Sequence, residues 1–179
     1  MTPTISFILS VLTAMTQATL ALVAAASVLD LKRMRSLAGK YITGRNAIRA
    51  ALIVALVATA GSLYYSEIAG FVPCELCWFQ RIFMYPQVVI LGLAIMKRDQ
   101  NIEAYGLTLA GFGLLFSLYH NVAIYTAVPS AFCSLTSVSC ATKVVLGLGY
   151  VTIPLMALTA FSLIIAIFLL QRLGGKDTR

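Results

Sequence analysis

This chain has little charge. Only 11% of its 179 residues are charged, six of them acidic, while 60% are hydrophobic and the mean hydropathy is +0.94. That balance excludes a soluble globular domain and makes lipid the solvent of the fold. No internal repeat and no low-complexity stretch is present, and the length allows one domain. The first apolar segment lacks a basic region before it. Its positive charges follow it instead, so it reads as an uncleaved membrane helix rather than a signal peptide, although Ala24-Ala25-Ala26 offers small residues near its end.

Five apolar stretches have the length to cross a bilayer as helices: Ile5–Leu29, Ala50–Ser66, Trp78–Met96, Ala104–Val128 and Gly149–Leu170. The fold class expected is therefore all-α, a polytopic membrane protein. Pro73 sits where it would open the third helix, and Pro86 where it would kink it. Gly106, Ala110, Gly111 and Gly113 on the fourth are small residues that permit close helix approach in lipid. Lys143-Val144-Val145-Leu146 is expected as a short surface helix.

Basic residues set the orientation. Lys32, Arg33, Arg35, Lys40, Arg45, Arg49, Lys97, Arg98, Arg172, Lys176 and Arg179, eleven of the thirteen, fall on one side of a five-helix arrangement. By the positive-inside rule that side is cytoplasmic, with the N-terminus outside and the C-terminus inside. The net charge of +7 thus reports topology and a lipid-touching loop, and gives no reason to invoke nucleic acid. All four cysteines then lie on the outer face, where disulfides persist. None is reachable from the cytoplasm, which argues against a carrier of reducing electrons outward.

The most informative stretch is Pro73-Cys74-Glu75-Leu76-Cys77-Trp78-Phe79-Gln80-Arg81. It puts a Cys-x-x-Cys pair at the mouth of a helix whose N-terminal dipole lowers thiol pKa. Arg81 follows Cys77 by one helical turn on the same face. An arginine just inside an apolar segment calls for a polar or anionic partner, and its charge suits a Cys77 thiolate and a reduced acceptor; snorkelling to headgroups is the plainer reading. His120, at the outer end of the fourth segment, falls at a similar depth and is expected to line the same pocket as Arg81. Its plainer role is a helix-end residue bonded to water or a carbonyl.

Cys133 and Cys140 form the second pair. Four cysteines allow three connectivities, and the sequence alone does not choose. Two structural disulfides would explain them, but closing a two-residue gap stabilises little. Four thiolates also suggest zinc, yet the Cys-x6-Cys spacing does not fit common zinc modules. Two pairs on one face have the logic of a relay, in which a soluble thiol reduces one pair, exchange passes the electrons to the other, and a lipid-soluble quinone takes them.

These residues, with Ile82, Met84-Tyr85-Pro86 and Thr152-Ile153-Pro154-Leu155, resemble the DsbB/BdbC disulfide bond formation proteins, particularly the BdbC branch. The resemblance covers about Ala50 to Leu170. It implies a four-helix bundle core, residues 50–171, with an additional N-terminal transmembrane helix in 1–30, a basic cytoplasmic connection in 31–49 and a cytoplasmic tail in 172–179. It also implies residence in the bacterial cytoplasmic (inner) membrane. The activity implied is that of a thiol:quinone oxidoreductase, with ubiquinone or menaquinone as acceptor and a DsbA-like thioredoxin-fold protein as thiol partner.

Cys74 and Cys77 would then be the quinone-side pair, with Cys77 nearest the ring and Arg81 and His120 at the quinone. Cys133 would form the mixed disulfide with the partner, and Cys140 would exchange with Cys74. Ile5–Leu29 and its basic loop are extra to the family's four-helix core, and the second pair lies only seven positions apart, as in the BdbC branch and unlike longer-loop relatives. A quinone-linked thiol oxidase of the VKOR type, or a membrane scaffold with two inert disulfides, are the competing readings. The absence of a fused thioredoxin pattern and the presence of Gln80-Arg81 argue against the first.

Overall fold

With no water in the bilayer core, backbone polar groups must be satisfied within each segment, which apolar helices achieve. The computed structural model of the chain describes residues 2–30, 36–37, 39, 42, 44–99, 101–126 and 145–174. Its helices are α1 (Thr2–Leu29), α2 (Gly44–Leu63), α3 (Glu75–Lys97), α4 (Glu103–Thr126) and α5 (Ile153–Gly174). All five are long and apolar enough to span a membrane, α2 being prolonged by a π-helical turn over Tyr64–Ile68. The chain is thus an all-α multi-pass membrane protein. Large apolar side chains such as Leu22, Ile53, Val89 and Leu115 point outward, as a lipid-facing surface requires.

Helices α2 to α5 form a ring: α2 packs on α3 and α5, and α4 packs on the same two. Glycines set the closeness of α4 to α5. A Cβ at Gly106 would stand 2.8 Å from the Phe168 ring, and one at Gly113 would overlap the ring of Phe161. Ala110 between them is fully buried, whereas Gly111 faces open space, so three of the four expected small residues serve the interface. Phe161, Ile164 and Phe168 meet Ile48, Ala51 and Ala55 of α2 and Met84, Leu91 and Ala94 of α3 in one core. Helix α1 lies outside the ring, against α5 and the short strand described below.

Several element ends differ from the sequence expectation. α2 begins at Gly44, so Arg45 and Arg49 ride on its first turns rather than in the connection, because its apolar face (Ala47, Ile48, Ala51) already packs there. α3 opens at Glu75 with Cys74 as its extended N-cap (φ −74°, ψ 172°), placing Pro73 before the cap. Glu75 in the first turn and Lys97 in the last complement the helix dipole. Pro86 lies within α3, which continues through it to Lys97. Arg98 then ends it in the left-handed region (φ 56°), its N–H reaching the Ala94 and Ile95 carbonyls.

Val145–Gly147 is a β-strand (β1), not the end of a surface helix; Lys143 and Val144 lie outside the described residues. It pairs antiparallel with Val151–Thr152 (β2) through a turn containing Leu148 and Gly149, both at positive φ. β-Branched Val145, Val151 and Thr152 favour the extended form. The hairpin moves the start of α5 to Ile153. There the Thr152 hydroxyl accepts the Leu155 N–H at 3.4 Å, a capping contact.

At one end of the ring Arg172 pairs with Glu103, joining the end of α5 to the start of α4. Arg45, Arg49, Lys97 and Arg98 belong to the same end by the alternation of helix direction. Cys74 and Cys77 belong to the other.

Candidate functional site

Because Cys74 caps α3 and Cys77 follows it within the first turn, the two sulfurs face each other at 3.0 Å. Leu76, fully buried, and Phe116 of α4 pack around them. Cys74 itself is buried. α4 contributes His120, only 2% exposed, with Nε2 3.8 Å from the Cys74 sulfur. Its Nδ1 lies 3.1 Å from Nε2 of buried Gln80. A Gln80 N–H donated to Nδ1 leaves the ring proton on Nε2, facing the sulfur.

This surrounding favours a thiolate at Cys74. The hydrogen bond with Cys77 is the main cause, and His120 adds to it; together they outweigh burial and lower the Cys74 thiol from 9.0 to about 4. The N-cap position acts in the same direction through the helix dipole.

Arg81 points elsewhere. Its Nε donates to Ser62 Oγ at 3.1 Å and a terminal nitrogen to the Ser62 carbonyl at 3.2 Å. Tyr85, one turn further on α3, donates its hydroxyl to the same Ser62 Oγ at 3.2 Å. The guanidinium also lies over the Trp78 ring, 5.2 Å from its centroid. Ser62 stands where α2 passes into the π-helical turn, a break of regular helix common at functional sites.

A cavity of about 310 Å³ opens beside this arginine. Cys77, Gln80, Arg81 and Tyr85 of α3 line it together with Ser62 and Ser66, Thr13 and Thr16 of α1 and Thr159 of α5, and the rest of its lining, from α1, α2, α5 and residues 71–73, is largely apolar. Cys74 and His120 do not line it. The expectation that Arg81 and His120 share a pocket is therefore corrected: Arg81 lines the cavity and His120 does not, and Gln80 and Cys77, both beside His120 and both lining the cavity, stand between them.

The structure thus brings Cys74, Cys77 and His120 together and sets Arg81 with Cys77 at a cavity. Cys133 and Cys140 lie outside the described residues. The donor atoms of Cys74, Cys77 and His120 all fall within 4.8 Å of one another, a set able to hold a soft metal ion with three protein ligands. Ser62 and Tyr85 were not anticipated as partners of Arg81. Tyr85 was legible as the residue one turn beyond it on α3; Ser62, on another helix, was not.

An adjacent dithiol buried at a helix mouth, next to an apolar cavity in a five-helix membrane bundle, defines the class: a membrane protein of thiol–disulfide chemistry. The family model described as disulfide bond formation protein DsbB matches residues 44–171, and the chain belongs to that family. It is 42% identical over 132 residues to disulfide bond formation protein C of Bacillus subtilis, covering 72% of this chain and 93% of that one. A probable disulfide formation protein of Oceanobacillus iheyensis is 47% identical over 122 residues, covering 66% and 83%. An SPbeta prophage-derived disulfide bond formation protein B of B. subtilis is 41% identical over 121 residues, covering 68% and 82%. No solved structure matches the chain. Residues 1–43, with α1, precede the family match.

Proposed function

We propose that the protein is a thiol:quinone oxidoreductase that reoxidises a DsbA-like thioredoxin-fold protein outside the cytoplasm and passes the electrons to quinone. The observation that carries this reading is the cavity at which Cys77 and Arg81 meet. Its volume and apolar lining suit a flat quinone ring, and Arg81 retains N–H donors beyond the two spent on Ser62 to meet a carbonyl oxygen. The basic residues at the opposite end support an N-out, C-in orientation with the cysteines extracytoplasmic in the cytoplasmic membrane. In this reading α1 and its basic connection are additions to a four-helix core.

The chemistry runs by disulfide exchange. A partner thiolate attacks Cys133 of the Cys133–Cys140 disulfide, forming a mixed disulfide and releasing the Cys140 thiolate. The second partner thiol resolves it, leaving the partner oxidised and Cys133 and Cys140 reduced. Cys140 then attacks Cys74 of the Cys74–Cys77 disulfide, and Cys77 leaves as thiolate; attack by Cys133 on Cys140 restores the outer disulfide and releases Cys74. Cys74 is a good leaving group because its thiolate is held by Cys77 and His120. A bound quinone supplies the sink for two electrons and two protons. Cys77 and Arg81, which line the cavity, would face and hold such an acceptor, and the net reaction closes Cys74–Cys77 again.

The test is entrapment. In the oxidised parent protein, a reduced DsbA-like partner whose second active-site cysteine is replaced by serine attacks the Cys133–Cys140 disulfide, releases the Cys140 thiolate and accumulates as a mixed disulfide on Cys133, visible without reductant and dissolved by it. If peptide mapping places the partner on Cys140 instead, the assigned direction is wrong.

A further inference from the structure

The cavity beside Cys77 and Arg81 is not enclosed by the family core alone. Leu9, Leu12, Thr13 and Thr16 of α1 line it, and α1 precedes residues 44–171. We propose that α1 is a wall of the acceptor site and that its cavity-facing residues set acceptor affinity; this rests on the cavity being the quinone site.

The manner in which α1 is docked supports a built contact. Its sheltered residues Ser6, Ser10, Thr13 and Gln17 recur at helical spacing on one face. The Ser10 and Thr13 hydroxyls return to their own helix, to the carbonyls of Ser6 at 2.7 Å and Leu9 at 2.8 Å, so this face stays small and satisfied. Phe7, Ile8, Met15 and Leu22 point outward.

Gln17 uses both ends of its amide. Nε2 donates to Thr159 Oγ1 on α5 at 3.1 Å, and Oε1 accepts the Tyr150 hydroxyl from the hairpin turn at 3.1 Å. A glutamine within an apolar span is costly without partners, so this pair of bonds fixes rotation and depth of α1. On α2, Gly61 lies opposite Leu9: a Cβ there would meet its methyls at 3.6 Å, ordinary contact. The docked helix thereby brings Leu12 and Thr13 to the space that Cys77 and Arg81 face. A quinone ring held there, or the start of its apolar chain, contacts α1.

The test uses the purified full-length protein, a reduced DsbA-like partner and a short-chain quinone. Quinone KM is measured beside the single-turnover oxidation of partner without added quinone. Thr13→Phe and Leu12→Trp fill the cavity from α1, and Val57→Trp fills it from α2. Met15→Phe on the lipid face is the control. The proposal expects about a tenfold or greater rise in quinone KM for both α1 fillings, of the size that mismatched pocket volume produces, with the single turnover and Met15→Phe as in the parent.

Leu9→Ala, which enlarges the cavity and needs no accommodation of a larger side chain, is expected to raise KM about threefold or more. Unchanged KM in Leu9→Ala, or in both fillings, while Val57→Trp raises it, overturns the role of α1 and leaves the cavity as the acceptor site. Unchanged KM in all of them, Val57→Trp included, overturns the acceptor cavity itself and the proposal with it.

Discussion

Removing the Cys77 thiol tests how the buried pair stores its charge. Take the protein carrying Cys133→Ser and Cys140→Ser, fully reduced, so that thiolate absorbance in the ultraviolet reports Cys74 and Cys77 alone. With Cys74 titrating at about 4, about 99% of it is thiolate near pH 6, against about 0.3% for an ordinary cysteine near 8.5. One thiolate per molecule is therefore already present in mild acid. The chief cause is the hydrogen bond between sulfurs 3.0 Å apart. Cys77→Ala deletes that donor and leaves the lesser causes, His120 and the residue-77 backbone N–H, so the Cys74 transition climbs by more than about two units. Cys77→Ser keeps an O–H donor and keeps the midpoint low. Because the folded thiol lies below its unfolded value, its contribution to stability is complete above about pH 9 and disappears as pH falls through about 4. A parent with no transition below neutrality, or a Cys77→Ala variant with the parent's midpoint, refutes the reasoning.

Further outcomes follow from packing and from the cavity. Gly113→Ala drives a methyl into the Phe161 ring at the α4–α5 contact and should cost about 1–3 kcal/mol of stability, read as a lower melting temperature in detergent; Gly111→Ala, facing open space, should not. Arg81→Ala should raise quinone KM about tenfold while leaving the Cys133 mixed disulfide trappable with a partner that lacks its second active-site cysteine, since Arg81 contacts the cavity and Ser62. Gln80→Leu removes the His120 Nδ1 contact and should raise the Cys74 midpoint in the same titration by less than Cys77→Ala does, because His120 is the lesser of the two causes.

Much of this architecture was legible because lipid simplifies the code. Five apolar runs became five helices, and the resemblance carried by Pro73 to Pro86 led to the family. The glycines of α4 announced a close contact, though only the phenylalanines of α5 decide which of them matter. Four things escaped. The early start of α2 came from Ala47 and Ile48 packing where charge density suggested a loop. β1 and β2 came from a pairing across Leu148 and Gly149 that a short apolar run does not reveal. The separation of Arg81 from His120 depends on rotation about α3, which spacing along other helices cannot fix. The partner of Arg81 lies nineteen positions back at Ser62, and such long-range polar pairs have no local signature.

The most direct test of the central claim is quinone reduction itself. Purified oxidised protein, a reduced DsbA-like partner and a soluble quinone are mixed, and quinone loss is followed by absorbance. The account predicts turnover that requires the partner thiols and vanishes in Cys77→Ser. No turnover with a competent partner, and both disulfides intact afterwards, would contradict it.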